Sequence, residues 1–324
     1  MKVIDAVYGD TKIKEQVLID LINCPSMQRL KKISQFGMPD EYYHIKGFSR
    51  YEHCVGVMVL LRRLEASLKE QIAGLLHDVS HTAFSHVIDW VVGDPNKEDH
   101  QDNSLLDFVE KSEIPGILEK YNFDYKEICE HENFSLLENN APDICADRVD
   151  YSLREIISFE TSENINLILN SLINPKGKII FNNKNAAEIF AKSYVKCQKE
   201  HWAGTQAKAR YHILSSILKK ALDEKIIFLQ DLWKTDQEVI DILKESKIND
   251  ILDNLNLLKK GFDVVESQNK NSFILKKKFR WVDPQVLFEE RLARVSDFSE
   301  EYKSILENEK SDSKITKTFE VISK

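Results

Sequence analysis

Apolar residues recur at three- and four-residue spacing through Val55, Val59, Leu60 and Leu64, and again through Ile72, Leu75, Leu76 and Val79. This is the period of helices that bury one face. Only 10 glycines and 7 prolines interrupt the 324 residues, so few breakers stand against long helices and a mainly α chain is expected. Further helical stretches are read over 104–111, 142–158, 163–172 and 186–223. The segment 174–183, "NPKGKIIFNN", joins a turn signal to a short β-like run and reads as one arm of a small hairpin, marking a change of lobe. Past Ile226 the composition shifts toward Asp, Glu, Lys and Asn; "NSFILKKKFRWVDP" reads as a strand bounded by Pro284, and the polar tail "EKSDSKITKTFEVISK" as a fraying end. A core with its lead segment is expected over 1–223 and a smaller mixed α/β region over 224–324.

At 37.6 kDa, with 42% hydrophobic and 30% charged residues, the chain is large enough to bury a full core. Its formal net charge of −8 gives no global attraction to nucleic acid or anionic membrane, so an anionic substrate must meet local positive charge. The five cysteines are widely spaced without a C-x-x-C, which fits a reducing compartment better than a disulfide framework or a zinc knuckle. The opening "MKVIDAVYGDTKIKEQ" lacks an apolar h-region and no apolar run reaches a membrane span, so a cytoplasmic protein without a membrane partner is expected.

Four of the nine histidines, His53, His77, His81 and His86, fall within "SRYEHCVGVMVLLRRLEASLKEQIAGLLHDVSHTAFSHVIDW", and His100 follows soon after. The adjacent His77 and Asp78 close the second apolar helix, and an imidazole beside a carboxylate suits a borderline divalent metal. His53 opens the first helix, so antiparallel packing of the two helices brings it beside that pair. "CADRVDYSLREI" supplies Asp147 and Asp150 as candidates for a fourth ligand.

These residues resemble the HD-domain phosphohydrolases, and within them the deoxynucleotide triphosphohydrolase branch. That branch shows R-F-E-H, then L-x-H-D-x-G-H-x-P-F-S-H, then D-x-x-D-Y; here stand "RYEH" at 50–53, "LLHDVSHTAFSH" at 75–86 and "DRVDY" at 147–151. The resemblance covers roughly residues 3–223 and includes the lead segment "YGDTKIKEQVLIDLINCPSMQRLKKISQFG". It implies a mainly α HD-domain helical bundle with a small α+β C-terminal part. It implies His53, His77, Asp78 and Asp147 as metal ligands, with Asp150 in a supporting role. His81, His86, Asp89 and His100 fall on catalytic positions, His86 close to the scissile ester oxygen. Arg50, Arg148 and Tyr151 fall on phosphate- and sugar-facing positions, and Gln35 and Phe36 where the sugar is read. The cofactor implied is one divalent transition metal (Fe, Mn, Zn or Ni), with Mg as an option alongside the substrate. The expected partners are a nucleotide and further copies of the chain, as a dimer or tetramer; nucleic acid is left open but not favoured. Two departures stand out: Ser80 replaces the branch's Gly and Ala83 its Pro. The branch's substrate-binding Arg and Tyr have no clear counterpart in "KSYVKCQKEHWAGTQAKARYHIL", where Lys192, Lys196, Lys199 and His201 are the nearest candidates.

The chemistry of the residues agrees. Two carboxylates and two neutral imidazoles bring a divalent ion near neutrality and leave positions for water and a phosphoryl oxygen. A carboxylate such as Asp89 favours the protonated form of a neighbouring histidine, which then stabilises phosphoryl charge or donates to a leaving oxygen. The expected activity is therefore a (deoxy)nucleoside triphosphate triphosphohydrolase releasing nucleoside and triphosphate. The alternatives are a phosphatase or phosphodiesterase on another nucleotide or a nucleic-acid end, or a nucleotide-binding sensor with weak catalysis. "HDVSH" also resembles the zincin H-E-x-x-H, but Asp is a methylene shorter than the Glu needed there and His53 and Asp147 go unexplained. His131 and His212 read as surface or hydrogen-bonded core residues. Lys276, Lys277, Lys278 and Arg280 read as a solvated strand edge before an anion site.

Overall fold

The computed structural model describes residues 1–93, 100–269, 272–275 and 279–323. It is 57% helical, a mainly α fold with a small sheet-containing C-terminal part. No helix among the described residues is long and apolar enough to cross a membrane.

The Arg50–Arg63 helix starts in a capping box: Ser49 Oγ accepts from the Glu52 amide at 3.2 Å, and the Glu52 carboxylate accepts from the Ser49 amide at 2.7 Å. It is buried on all sides from His53 to Leu61, as expected of a central helix with little polar face. The Leu68–Leu76 helix, capped by Ser67, packs against it. Gly74 allows this approach, since a Cβ there would sit 2.3 Å from Leu61 Cδ1. Gly56 does the same toward the Ala146–Ile156 helix, where a Cβ would lie 1.9 Å from Arg154 Nη2 and 2.1 Å from Asp150 Oδ1.

The stretch read as one helix over 186–223 is three pieces: Lys184–Cys197, a π-helical turn at Gln198–Trp202, and Thr205–Asp223. Glu155 ties down the turn by accepting from His201 Nδ1 and Trp202 Nε1, so the irregularity follows from a tertiary contact that helical period does not encode.

The expected hairpin is present, Leu172–Ile173 pairing antiparallel with Ile180–Phe181. It does not end a lobe: Phe181 pairs in parallel with Val286, and both lie in the main core of a four-stranded sheet completed by Arg291–Arg294. The tail read as fraying holds Lys317–Ser323, the central strand between Phe262–Glu266 and Phe273–Leu275. Phe319 and Val321 alternate with polar residues and pack onto a second core, so a half-buried strand was hidden by its polar face. Of the basic cluster, Lys276, Lys277 and Lys278 lie outside the described residues.

Both cores draw on either side of residue 223. The larger adds Val282, Val286, Val295, Tyr302 and Leu306 to the N-terminal helices. The second packs Phe84, Val87 and Ile88 with one face of Thr205–Asp223 and with Leu232, Val239, Ile240 and Leu243.

Candidate active site

His53, in the first turn of its helix, is completely buried. Its Nε2 lies 2.9 Å from Asp147 Oδ1, 3.2 Å from His77 Nε2 and 3.6 Å from Asp78 Oδ2. His77 and Asp78 follow the end of the Leu68–Leu76 helix, and His77 Nε2 is 3.5 Å from Asp147 Oδ1 and 3.7 Å from Asp78 Oδ1. The structure thus brings together all four residues expected as ligands, from two helices and the end of a third.

Each imidazole is oriented through its other nitrogen. His77 Nδ1 lies 2.8 Å from the Gly74 carbonyl and His53 Nδ1 2.8 Å from Asp150 Oδ2, which makes Nδ1 the donor and leaves Nε2 able to coordinate. Asp150 is held in turn by Arg154 Nε at 2.8 Å, and Arg154 Nη2 donates to Asp5 at 2.6 Å. This supporting chain is fully buried.

The cluster favours positive charge at its centre. Burial works to raise the Asp78 and Asp147 pKa values, but the surrounding imidazoles, with Arg50 at Asp78, win and hold both carboxyls well below the usual range. Burial also works against charge on His77, yet Asp78 and Asp147 push it up to about 10, and His53 is raised by Asp147 and Asp150 against the same burial. A divalent cation meets this demand without protonated ligands, and two carboxylates with two Nε2 donors suit a transition metal.

The turn after Asp78 carries the next residues. The helix stops at Leu76, so His81 is placed by a tight turn, with its amide donating to the Asp78 carbonyl at 3.1 Å, and not by a continuing helical face. Phe84 and Ser85 take positive φ, 64° and 44°, in this turn where Ser80 and Ala83 stand for Gly and Pro. Asp236 braces it, accepting from the Phe84 and Ser34 amides at 2.8 Å each; burial pushes this carboxyl up to about 6.

His81 and His86 both line the cavity, their rings 5.0 Å apart at 85°. His81 Nε2 lies 3.3 Å from Asp78 Oδ1, while burial and the Arg50 charge pull its pKa well below the usual imidazole range. Asp89 pairs with His86: its Oδ2 lies 3.3 Å from His86 Nδ1, and its Oδ1 accepts from the His100 amide at 3.1 Å. His100 is thus joined to the site by its backbone, and its ring is not among the groups lining the cavity.

The cavity measures about 1070 Å³, and all five expected substrate-facing residues, Gln35, Phe36, Arg50, Arg148 and Tyr151, line it. Its walls are the seam between the cores, with Tyr151 and Trp202 packed on one and Tyr43 and Tyr211 on the other. Arg50 Nη1 lies 2.5 Å from Asp78 Oδ2, Nε donates to Ser85 Oγ at 3.1 Å, and Nη2 has no partner among the described residues.

Other lining residues were not expected. His131, read as an ordinary histidine, sits with its ring 6.4 Å from that of His77. Glu138 also faces the cavity, where burial and then Asp147 raise its pKa well above the carboxylate range. From the stretch 192–208 the cavity takes Tyr194, Trp202, Ala207 and Lys208. The four candidates named there point elsewhere: Lys192 pairs with Glu188 and Glu301, Lys196 lies over Phe159, Lys199 pairs with Glu309, and His201 pairs with Glu155. Sequence spacing offered no signal for these choices, because the π turn changes which residues face inward.

Comparison with known proteins agrees with this geometry. Residues 50–154 match the HD domain family. The chain is 38% identical over 311 residues to uncharacterized protein YdhJ of Bacillus subtilis, covering 94% of each. It is 29% identical to the metal-dependent phosphohydrolase cns2 of Cordyceps militaris over 75% of this chain and 72% of that one. A shorter similarity, 38% identity over 107 residues, joins it to the deoxynucleoside triphosphate triphosphohydrolase SAMHD1 of Bos taurus, over 28% of this chain and 18% of that protein.

Proposed function

We propose that this chain, which belongs to the HD-domain metal-dependent phosphohydrolases, hydrolyses nucleoside triphosphates, deoxynucleotides first among them, releasing nucleoside and triphosphate. The observation that carries the reading is the cavity of about 1070 Å³ beside the four candidate ligands. It reaches the upper end of the roughly 300–1,000 Å³ usual for ligand pockets, room for base, sugar and polyphosphate. The local similarity to SAMHD1 favours the same substrate class.

His53, His77, Asp78 and Asp147 would hold the metal, which supplies Lewis-acid polarisation of a phosphoryl oxygen and a lowered pKa for water. Arg50 lines the cavity with its Nη1 fixed by Asp78, so its charge faces the phosphate. Arg148 lines the cavity one residue after Asp147. His86, held at Nδ1 by Asp89, has Nε2 left to donate a proton to the leaving ester oxygen. Tyr151, its hydroxyl 2.7 Å from that of Tyr194, and Gln35 and Phe36 would bound the sugar.

The test is product analysis with a panel of nucleotides. The reading expects inorganic triphosphate from deoxynucleoside triphosphates and its loss, with the metal, in Asp78→Ala. Release of orthophosphate or pyrophosphate instead, or cleavage of monophosphates or cyclic nucleotides in preference, would replace it with another phosphoester activity. A dimer or tetramer belongs to the same reading, and sedimentation with and without nucleotide checks it.

A further inference from the structure

We infer that Arg280 binds the polyphosphate tail of the nucleotide, forming with Arg148 an anion subsite that the downstream part of the chain completes; the inference rests on the substrate reading above.

Phe279, Arg280 and Trp281 line the same cavity as Asp78 and Asp147, although some 130 residues separate them from Asp147 in sequence. Phe279 and Trp281 stack with ring centroids 5.9 Å apart and planes 13° from parallel. The chain just beyond is fixed. Val282 is completely buried, and its carbonyl accepts from the Tyr302 hydroxyl. The Asp283 amide donates to the Pro142 carbonyl at 2.8 Å, Arg294 Nη1 donates to the Asp283 carbonyl at 2.6 Å, and the Asp283 carboxylate accepts from Ser296. Arg280 thus lines the cavity just ahead of an anchor clamped to the segment that leads into Asp147 and Arg148.

Arg148 and Arg280 line the same cavity as a pair of coupled phenols. Tyr151 and Tyr194 share a hydrogen bond of 2.7 Å between their hydroxyls. The charge of Arg280 acts on both phenols and that of Arg148 on Tyr194, each favouring negative charge there. Tyr151 lies one helical turn beyond Asp147, so this is the wall next to the candidate metal ligands.

The cavity's charge balance favours a third arginine beside Arg50 and Arg148. Besides the ligands, Glu130 and Glu132 line it and repel a polyanion, and Lys208 is a lining cation. Of the upstream arginines, Arg50 is held on Asp78, and Arg148 Nη1 donates to the Asn139 and Asp143 carbonyls at 2.6 and 3.0 Å. A triphosphate carries several charges, and a planar guanidinium matches two of its oxygens at once. A single phosphate near the metal would not reach as many cations.

The experiment uses the full-length, metal-loaded protein with Arg280→Gln and Arg280→Lys. Inorganic tripolyphosphate and orthophosphate are titrated calorimetrically, deoxynucleoside triphosphate kinetics are measured, and metal content and melting temperature are recorded. The expected result for the Gln variant is unchanged metal and melting, tripolyphosphate affinity down about tenfold or more, KM up by a similar factor, and orthophosphate binding little altered. The Lys variant should fall between Gln and wild type. Tripolyphosphate affinity of the Gln variant within about twofold of wild type overturns the inference, as does parallel loss of orthophosphate binding and metal in both variants, which marks a structural role. Should the wild type cleave no nucleoside triphosphate, the substrate reading fails, and the tripolyphosphate titration still decides the role of Arg280.

Discussion

The two imidazoles of the candidate metal set are committed before any ligand arrives, because Gly74 and Asp150 take their Nδ1 protons. The ordinary histidine pKa is about 6.5, whereas the acids around His77 push it up to about 10. At neutral pH that ring carries a proton which a metal must displace, since only the neutral ring ligates. The sign follows: metal affinity rises with pH up to about 10 and falls as acid is added, and binding at pH 7 releases at least one proton. Calorimetry in buffers of different ionisation enthalpy measures that release; a value near zero would contradict the ligand assignment. The histidines beyond the set separate by what they offer. His81→Ala and His86→Ala are expected to keep metal yet lose about a hundredfold or more in turnover, since both rings line the cavity. His100 offers Asp89 only a backbone amide, which survives substitution, so His100→Ala should stay within a few-fold of wild type. Turnover with metal content for the three proteins checks this ordering, and loss of metal in His81→Ala or His86→Ala would make those residues ligand supports.

The central helix brings His53 to the site only because Gly56, one turn on, has no side chain. Gly56→Ala would drive a methyl into the Asp150–Arg154 pair, which is buried and orients His53. The expected cost is on the order of 3–5 kcal/mol, that of disrupting a buried ion pair, together with weaker metal binding through His53. Denaturant unfolding with and without metal measures both, and a loss under about 1 kcal/mol would show that the helices move apart cheaply. The elements most legible in the sequence were those with strong local signals. The two apolar helices and the His77–Asp78 doublet at a helix end stand where spacing put them. What stayed illegible depends on distant partners. The break at Gln198–Trp202 needs Glu155, and the Lys317–Ser323 strand needs neighbours on both sides. The inward facing of His131 and Trp281 follows from how the two cores meet, which no local period reports.

The site belongs to both cores at once, and this sets what can be removed from the molecule. The turn bearing His81 to Ser85 is tied to residues beyond 223 by the Ala83 amide on the Leu232 carbonyl at 2.8 Å and by Asp236 on the Phe84 amide. Phe84, Val87 and Ile88 pack with Val239, Ile240 and Leu243, while Val282, Val286 and Tyr302 return to the larger core. A fragment ending at residue 223 would therefore keep every candidate metal ligand in its sequence and lose part of both cores. Exposed apolar surface of that extent favours aggregation or a loosely packed state over a cooperative fold. Fragment 1–223 is expected to show helical circular dichroism without a sharp thermal transition, and to retain little metal. The chain of 324 residues under the same conditions should melt cooperatively, and at a higher temperature once metal is bound. A sharp transition and stoichiometric metal in the fragment would show that the first 223 residues close their own core, and the downstream region would then serve the cavity wall through Arg280 and its neighbours alone.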